Sequence, residues 1–287
     1  MRIANVQGRL VLRTADNALD VETESDGRFS SDPQAVYDRW EEFQSWASSA
    51  DLSAAAPFDT QDLGAPVPRP RQIFAIGLNY SEHANESNMA APAEPSVFTK
   101  FQTSITGPYA EVSLPTQTVD WEAELVVVVG KRATGVSQAD AWEHIAGVTV
   151  GQDLSERTRQ LVAPVPQFSI GKSFPGFAPM GPDLVTVDEL NSRDDMEIGC
   201  SINGETVQKG RTRDLIFSVP VLIERLSAIL TLLPGDVIFT GTPSGVGHAR
   251  RPQRYLAPGD TLDTWIRGVG ELRNTFVDGT RHRTVSA

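Results

Sequence analysis

The chain predicts a β-rich α+β fold, a sandwich or roll, and three observations predict it. Short β-branched runs recur from residue 73 onward, each bounded by turn residues. Asn203-Gly204 separates Ser201-Ile202 from Glu205-Thr206-Val207, the pattern of a type I′ hairpin in which both central residues take positive φ. Helical patterns are few and do not alternate with strands as a parallel βαβ sheet requires.

Taken in order, residues 1–68 read as a small N-terminal α+β domain that ends in a proline-rich linker, and 69–287 as the main domain. The runs Ile3–Val6 and Leu10–Leu12 flank a Gln7-Gly8 turn. A helix follows Ser31-Asp32-Pro33, with Val36, Trp40, Phe43 and Trp46 three or four apart on one face. Pro57, Pro66, Pro68 and Pro70 then exclude a helix or a central strand, so 54–71 is expected to be extended. Strands are expected at 73–77, 121–129, 147–152, 196–202, 236–240 and 261–266. Two helices complete the list. One begins near Ser137 and carries Ala139, Trp142 and Ile145; the other has Ser218 at its N-cap, Pro220 just inside, and Leu222, Ile223, Leu226 and Leu230 as its buried stripe.

Composition narrows the function. Of 287 residues, 25 are Lys or Arg and 37 are Asp or Glu, a net charge of −12. Nucleic acid and anionic membranes call for a basic footprint, so neither is an expected partner. Cys200 is the single cysteine, which excludes an internal disulfide and a thiolate zinc site. With His only at 83, 144, 248 and 282, a metal would be held by oxygen. The longest aliphatic run, Leu125 to Val129, is too short to span a bilayer, and the N-terminus lacks the apolar core of a signal peptide. A soluble protein of a reducing cytoplasm is the expectation.

The most informative stretch is Asp120-Trp121-Glu122-Ala123-Glu124-Leu125, running into four valines. In a strand Glu122 and Glu124 share a face, at the mouth of a core segment. Two carboxylates so placed repel unless a cation lies between them, and a hard divalent ion such as Mg²⁺ or Mn²⁺ meets that need; a solvated strand end paired with Lys or Arg is the alternative. Asp153, at the end of Val148–Gln152, is a third candidate ligand or a plain turn cap. His83 and Glu86, three apart, share a face of a short helix and suit either a carboxylate-oriented general base or a surface ion pair. Lys172, between glycine and apolar residues, and Lys100 can each neutralise a bound anion or lie along the surface. The loop Gly241-Thr242-Pro243-Ser244-Gly245 is neither a Walker A nor a dinucleotide loop. Its amides and the Thr242 hydroxyl suit a carboxylate, or simply a turn.

Taken jointly, Gly77-Leu78-Asn79-Tyr80-x-x-His83, Asp120-x-Glu122-x-Glu124-Leu125, Gln152-Asp153, Gly171-Lys172-Ser173-Phe174, Asn203-Gly204-Glu205, Leu233-Pro234-Gly235-Asp236 and Thr240-Gly241-Thr242-Pro243 resemble the fumarylacetoacetate hydrolase (FAH) family over about residues 70–278. The resemblance implies a β-sandwich roll, usually dimeric. It also implies Mg²⁺ or Mn²⁺ on Glu122, Glu124 and Asp153, and a water-activating dyad of His83 and Glu86 on a segment that closes as a lid. Lys172 falls near the reacting 2-oxo acid, Lys100, Gln160 and Thr242 on the substrate pocket, and Arg157 where a basic residue follows the metal aspartate. Two departures stand out. Pro175-Gly176-Phe177 replaces a frequent Asp-Thr-Phe, and Leu78 replaces a frequent Arg or Lys. The implied activity is hydrolysis of a C–C bond in a 2,4-dioxo acid of the acylpyruvate type, with pyruvate enolate as leaving group. The alternative is an oxaloacetate-type decarboxylase or a 2-hydroxyhepta-2,4-diene-1,7-dioate isomerase, and a third reading is a non-catalytic binding protein. The implied partners are a small 2-oxo acid and a second copy of the chain.

Overall fold

The computed structural model describes residues 1–14, 16–86, 90 and 92–279. Its frame is one large mixed sheet packed against a smaller one, with the strand Ala123–Val129 near the centre. That strand is buried along its whole length because both of its faces are covered. Leu125, Val127 and Val129 join Ile198, Cys200, Leu262, Leu272 and Phe276 of the smaller sheet in one core. Val126 and Val128 point the other way, into a second core with Trp40, Phe43, Leu184 and Phe239. A strand with two buried faces needs an unbroken apolar run, and the four valines supply it.

Strand directions decide where the chemistry sits. Ala123–Val129 runs antiparallel to Ile145–Gln152 on one side and to Val237–Phe239 on the other; Val237–Phe239 is parallel to Ile73–Gly77. The start of the first strand and the ends of the other three therefore meet at one edge of the sheet. Glu122 and Glu124 come from that start. Asp153 and Leu78 follow directly on two of those ends, and Gly241-Thr242 lies one residue beyond the third. The hairpin is present as expected, with Asn203 at φ 52° and Gly204 at φ 85°.

Two expectations are corrected, and a third holds in position only. Ser137 opens no α-helix. The segment makes a single 3₁₀ turn, Ala141–His144, because the backbone of Ile145 is already taken up as the first residue of the next strand. Ser218 does stand at the N-cap of Val219–Ser227, but its side chain makes no capping bond. The N-terminal helix begins as a 3₁₀ turn, Ala35–Arg39, and is α-helical over Trp40–Ala47.

The first 68 residues are built into the main sheet rather than set beside it. Arg2–Val6 pairs with Ala178–Thr186, with Ile3 opposite Leu184. The stretch 54–71 is largely extended, yet Leu63, Ala65 and Val67 are buried in it and pack under the N-terminal elements. Trp40 and Phe43 thus cover the outer face of the strand that carries the acidic residues. Among the described residues no helix is long and apolar enough to cross a membrane.

A shared core predicts shared unfolding. Replacing Phe43, which is fully buried, by Ala should cost about 3–5 kcal/mol. In urea, tryptophan fluorescence and far-ultraviolet circular dichroism should move together in one transition. A separate early transition of the N-terminal tryptophans would contradict the shared core.

Candidate active site

The edge where the four strands meet gathers Glu122, Glu124 and Asp153, all buried, with one carboxylate oxygen from each within 4.8 Å of the others. At an effective dielectric of ~20, two unit charges at that separation repel by roughly 3 kcal/mol, so the cluster depends on the positive groups around it. Lys172 supplies one: its Nζ lies 2.7 Å from Glu122 Oε2 and 2.6 Å from Asp153 Oδ2. Lys100 supplies another, 2.6 Å from Asp153 Oδ1, and also donates to the Lys172 carbonyl. Arg157 Nη2 is 2.7 Å from Glu122 Oε1.

The consequences for protonation follow from counting partners. Burial alone would raise the Glu122 carboxyl, but Lys172 and Arg157 outweigh it and hold its pKa at about 2. Among the described residues no cation is in hydrogen-bond contact with Glu124. Burial and the neighbouring Asp153 and Glu122 carboxylates push it well above the usual carboxylate range, against the charge of Lys172 and the Gly241 amide, which donates to it at 2.8 Å. Burial also opposes the Lys172 ammonium, yet the two carboxylates it touches hold it above the ordinary lysine value. Lys100 touches one carboxylate, and there burial prevails and lowers it.

Local sequence places each group. Gln152 and Gln208 are buried glutamines whose side-chain oxygens accept from the backbone amides of Glu122 and Ala123, at 2.8 and 2.9 Å. They fix the backbone where the acidic strand begins. Glu156 caps the short helix Arg157–Gln160 by accepting from the Thr158 and Arg159 amides, and so points Arg157 and Gln160 toward the cluster. Asn79 ties the start of helix Ser81–Glu86 to the Phe217 and Thr240 backbone through three buried hydrogen bonds. Gly241 sits at φ +102°, where a Cβ would come within 2.7 Å of the Asn79 side chain. No L side chain fits there without losing the amide that faces Glu124.

His83 Nδ1 is 2.7 Å from Glu86 Oε1, and Glu86 Oε2 accepts from the Gly245 amide at 2.9 Å. The imidazole is buried rather than paired at the surface. It opens on a cavity of about 210 Å³ that also meets Glu122, Lys172, Gln160, Thr242 and Arg157. Thr242 Oγ1 accepts from Gln208 at 2.8 Å, which leaves its proton to donate. Gln160 Oε1 accepts from Arg157, which leaves its amide hydrogens.

Of the residues singled out in the sequence, nine fall together here and one is displaced. Lys100, expected on the pocket wall, lies behind Asp153 with a fully buried side chain and does not line the cavity. Its place is fixed by the single carboxylate and carbonyl it bonds. Arg157 does reach the cavity, but its guanidinium is spent on Asp120, Glu122 and Gln160. Asp120 stands at the head of the acidic segment, and the sequence gives it no role of its own; in the structure it accepts from Arg157 and from the Gly247 and His248 amides. His248 and Arg251 also line the cavity. His248 could have been picked out as one of only four histidines, directly after the Gly245-Val246-Gly247 turn. Leu78 forms part of the wall, at φ 56°, a strained conformation for a leucine.

The donor set fits a hard divalent cation: three buried carboxylates close enough to share one ion, and no sulfur. The family model described as "Fumarylacetoacetate (FAA) hydrolase C-terminal" matches residues 72–277. The human protein named oxaloacetate tautomerase FAHD2A, mitochondrial, is 44% identical over 215 residues, 74% of this chain and 68% of its own. A crystal structure from Mycobacterium smegmatis, of a protein provisionally called HpcE, is 55% identical with a TM-score of 0.94, covering 97% of this chain and 100% of that one. Maleylpyruvate hydrolase from Sphingobium sp. SYK-6, in complex with manganese(II) and pyruvate, is 29% identical with a TM-score of 0.81, covering 97% of this chain and 100% of that one.

Glu124→Gln tests the donor set. It should weaken Mn²⁺ binding, measured by calorimetry, by more than the ~10–100-fold typical of losing a mere supporting residue, with circular dichroism unchanged. Wild-type affinity in the variant would show that Glu124 is not a ligand.

Proposed function

The chain belongs to the fumarylacetoacetate hydrolase family, and from that premise we propose that it moves a proton at the carbon beside the carbonyl of a small 2-oxo acid. Oxaloacetate-type dicarboxylates are the first candidates, and the reaction is keto–enol tautomerisation or the closely related decarboxylation. This replaces C–C hydrolysis as the leading reading. The observation that carries it is the His83–Glu86 pair: one buried imidazole, oriented by a carboxylate, facing a small cavity beside the acidic cluster. The relatives named oxaloacetate tautomerase support it.

The residues divide the work as follows. Glu86 holds Nδ1, so the ring proton sits there and Nε2 is the basic nitrogen; this tautomer is assigned from the partner. Nε2 takes the enol hydroxyl proton and returns it to the adjacent carbon, a 1,3-shift that one imidazole can perform and that leaves no net change in protons. Lys172, with two of its three N–H groups on Glu122 and Asp153, offers the third to the negative charge that develops on the oxygen. Thr242 and Gln160 donate to the substrate's carboxylate. When bound to Glu122, Glu124 and Asp153, Mg²⁺ or Mn²⁺ would supply Lewis acidity to the 2-oxo group. The isomerase reading uses the same proton movement over a longer conjugated chain.

Hydrolysis of an acylpyruvate remains the second reading, supported by the likeness to maleylpyruvate hydrolase. It asks the same imidazole to activate water.

Enol-oxaloacetate supplied with Mn²⁺ should lose its enol absorbance faster with the protein than without. His83→Ala should slow that by ~10²–10⁴-fold while Mn²⁺ affinity stays the same. An unchanged rate in the variant would remove His83 from the reaction. Pyruvate released from acetylpyruvate but no action on oxaloacetate would favour the second reading.

A further inference from the structure

The cations deep in the cavity are committed to carboxylates of the protein itself. Lys172 is held by Glu122 and Asp153, and Arg157 by Asp120 and Glu122. A substrate with a second carboxylate, away from the reacting end, needs a positive group that is not so committed. Arg251 is such a group. It lines the cavity and is exposed. Among the described residues its side-chain hydrogen bonds run only to backbone carbonyls, of Arg250 at 2.8 Å and of His248 and Ala249 at 3.4 Å, and all three leave from Nη1. Nε and Nη2 remain, and that edge of a guanidinium is the one that grips a carboxylate in bidentate fashion.

The loop that carries Arg251 is anchored to the cavity's interior. Asp120, which holds Arg157, also accepts from the backbone amides of Gly247 and His248 at 2.7 and 3.0 Å. The Gly247 carbonyl accepts in turn from the Arg250 and Arg254 amides. His248 lines the cavity too, and its Nδ1 is held by the Tyr255 hydroxyl at 2.9 Å, so Nε2 is left to face a ligand. The charged groups around the imidazole are Arg157, Asp120 and Arg251; burial and the two arginines hold it below the ordinary histidine value.

We propose that Arg251, with His248 beside it, forms an anion subsite at the cavity mouth that takes the distal carboxylate of a dicarboxylic 2-oxo acid. The subsite makes the enzyme prefer diacids over 2-oxo acids that end in a methyl group. This deepens the proposed function and rests on its reading of the cavity as the reaction site.

The test compares wild type with Arg251→Ala and Arg251→Lys, all supplied with Mn²⁺. Exchange of the C3 hydrogens in D₂O is followed by NMR for oxaloacetate and for 2-oxobutanoate, which carries a methyl where the distal carboxylate would be. Arg251→Ala should raise KM for oxaloacetate ~10–100-fold, the value of one charged hydrogen-bonded pair, with kcat little changed. It should leave 2-oxobutanoate unaffected, and Arg251→Lys should recover part of the loss. An unchanged KM for oxaloacetate, or an equal rise for both acids, would overturn the subsite and leave the proposed reaction standing. A second readout does not need turnover. Calorimetry with malate and 2-hydroxybutanoate should show tighter binding of malate by wild type and loss of that difference in Arg251→Ala. Equal affinities in wild type would overturn the subsite; absence of exchange with either acid alongside a malate preference would overturn the reaction instead.

Discussion

Three carboxylates share a buried space less than 5 Å across, and most of the surrounding structure serves to make that tolerable. Like charges at that range, away from water, are stable only when positive groups or donors are aimed at them. Lys172, Lys100, Arg157 and the Gly241 amide are aimed so, from four separate segments of the chain. The antiparallel order of the central strands brings those segments to one edge. Gln152 and Gln208 then satisfy the backbone where the acidic strand starts, so that the carboxylates are held by a rigid frame rather than by a loop.

The partition of charge is uneven, and that unevenness has chemical meaning. Glu122 is well compensated and Glu124 is not. A site whose third carboxylate is touched by no cation among the described residues is one that a divalent ion would complete. The protein as a whole is acidic, at −12, yet the proposed ligand is an anion. The lysines, the arginines and the proposed metal would reverse the sign locally, while helix Ser81–Glu86 brings the imidazole to the same cavity.

Much of this was legible in the sequence, for physical reasons that differ by residue. Glu122 and Glu124 could be placed on one face because strand periodicity is strict, and the valines beyond them announced burial on both faces. His83 and Glu86 could be paired because their spacing returns to one side of a helix. Asn203-Gly204 declared its turn because few other residues accept its backbone angles. What could not be read depends on contacts between distant segments. Nothing in Phe98-Thr99-Lys100 tells whether the lysine faces the pocket or backs Asp153. Asp120 also holds Arg157, 37 residues away, and Gln208 holds Thr242, 34 residues away, pairings that no local pattern encodes. The N-terminal segment has the composition of a separate small unit, and only pairing with Ala178–Thr186 shows it to be part of the main sheet.

On this reading the buried carboxylates are a cation site. Anomalous diffraction at the manganese edge from crystals grown with Mn²⁺ tests it directly. One strong peak bonded to oxygens of Glu122, Glu124 and Asp153 is expected. A protein that catalyses its reaction with Mn²⁺ present but shows no peak there, or shows it elsewhere, would contradict it.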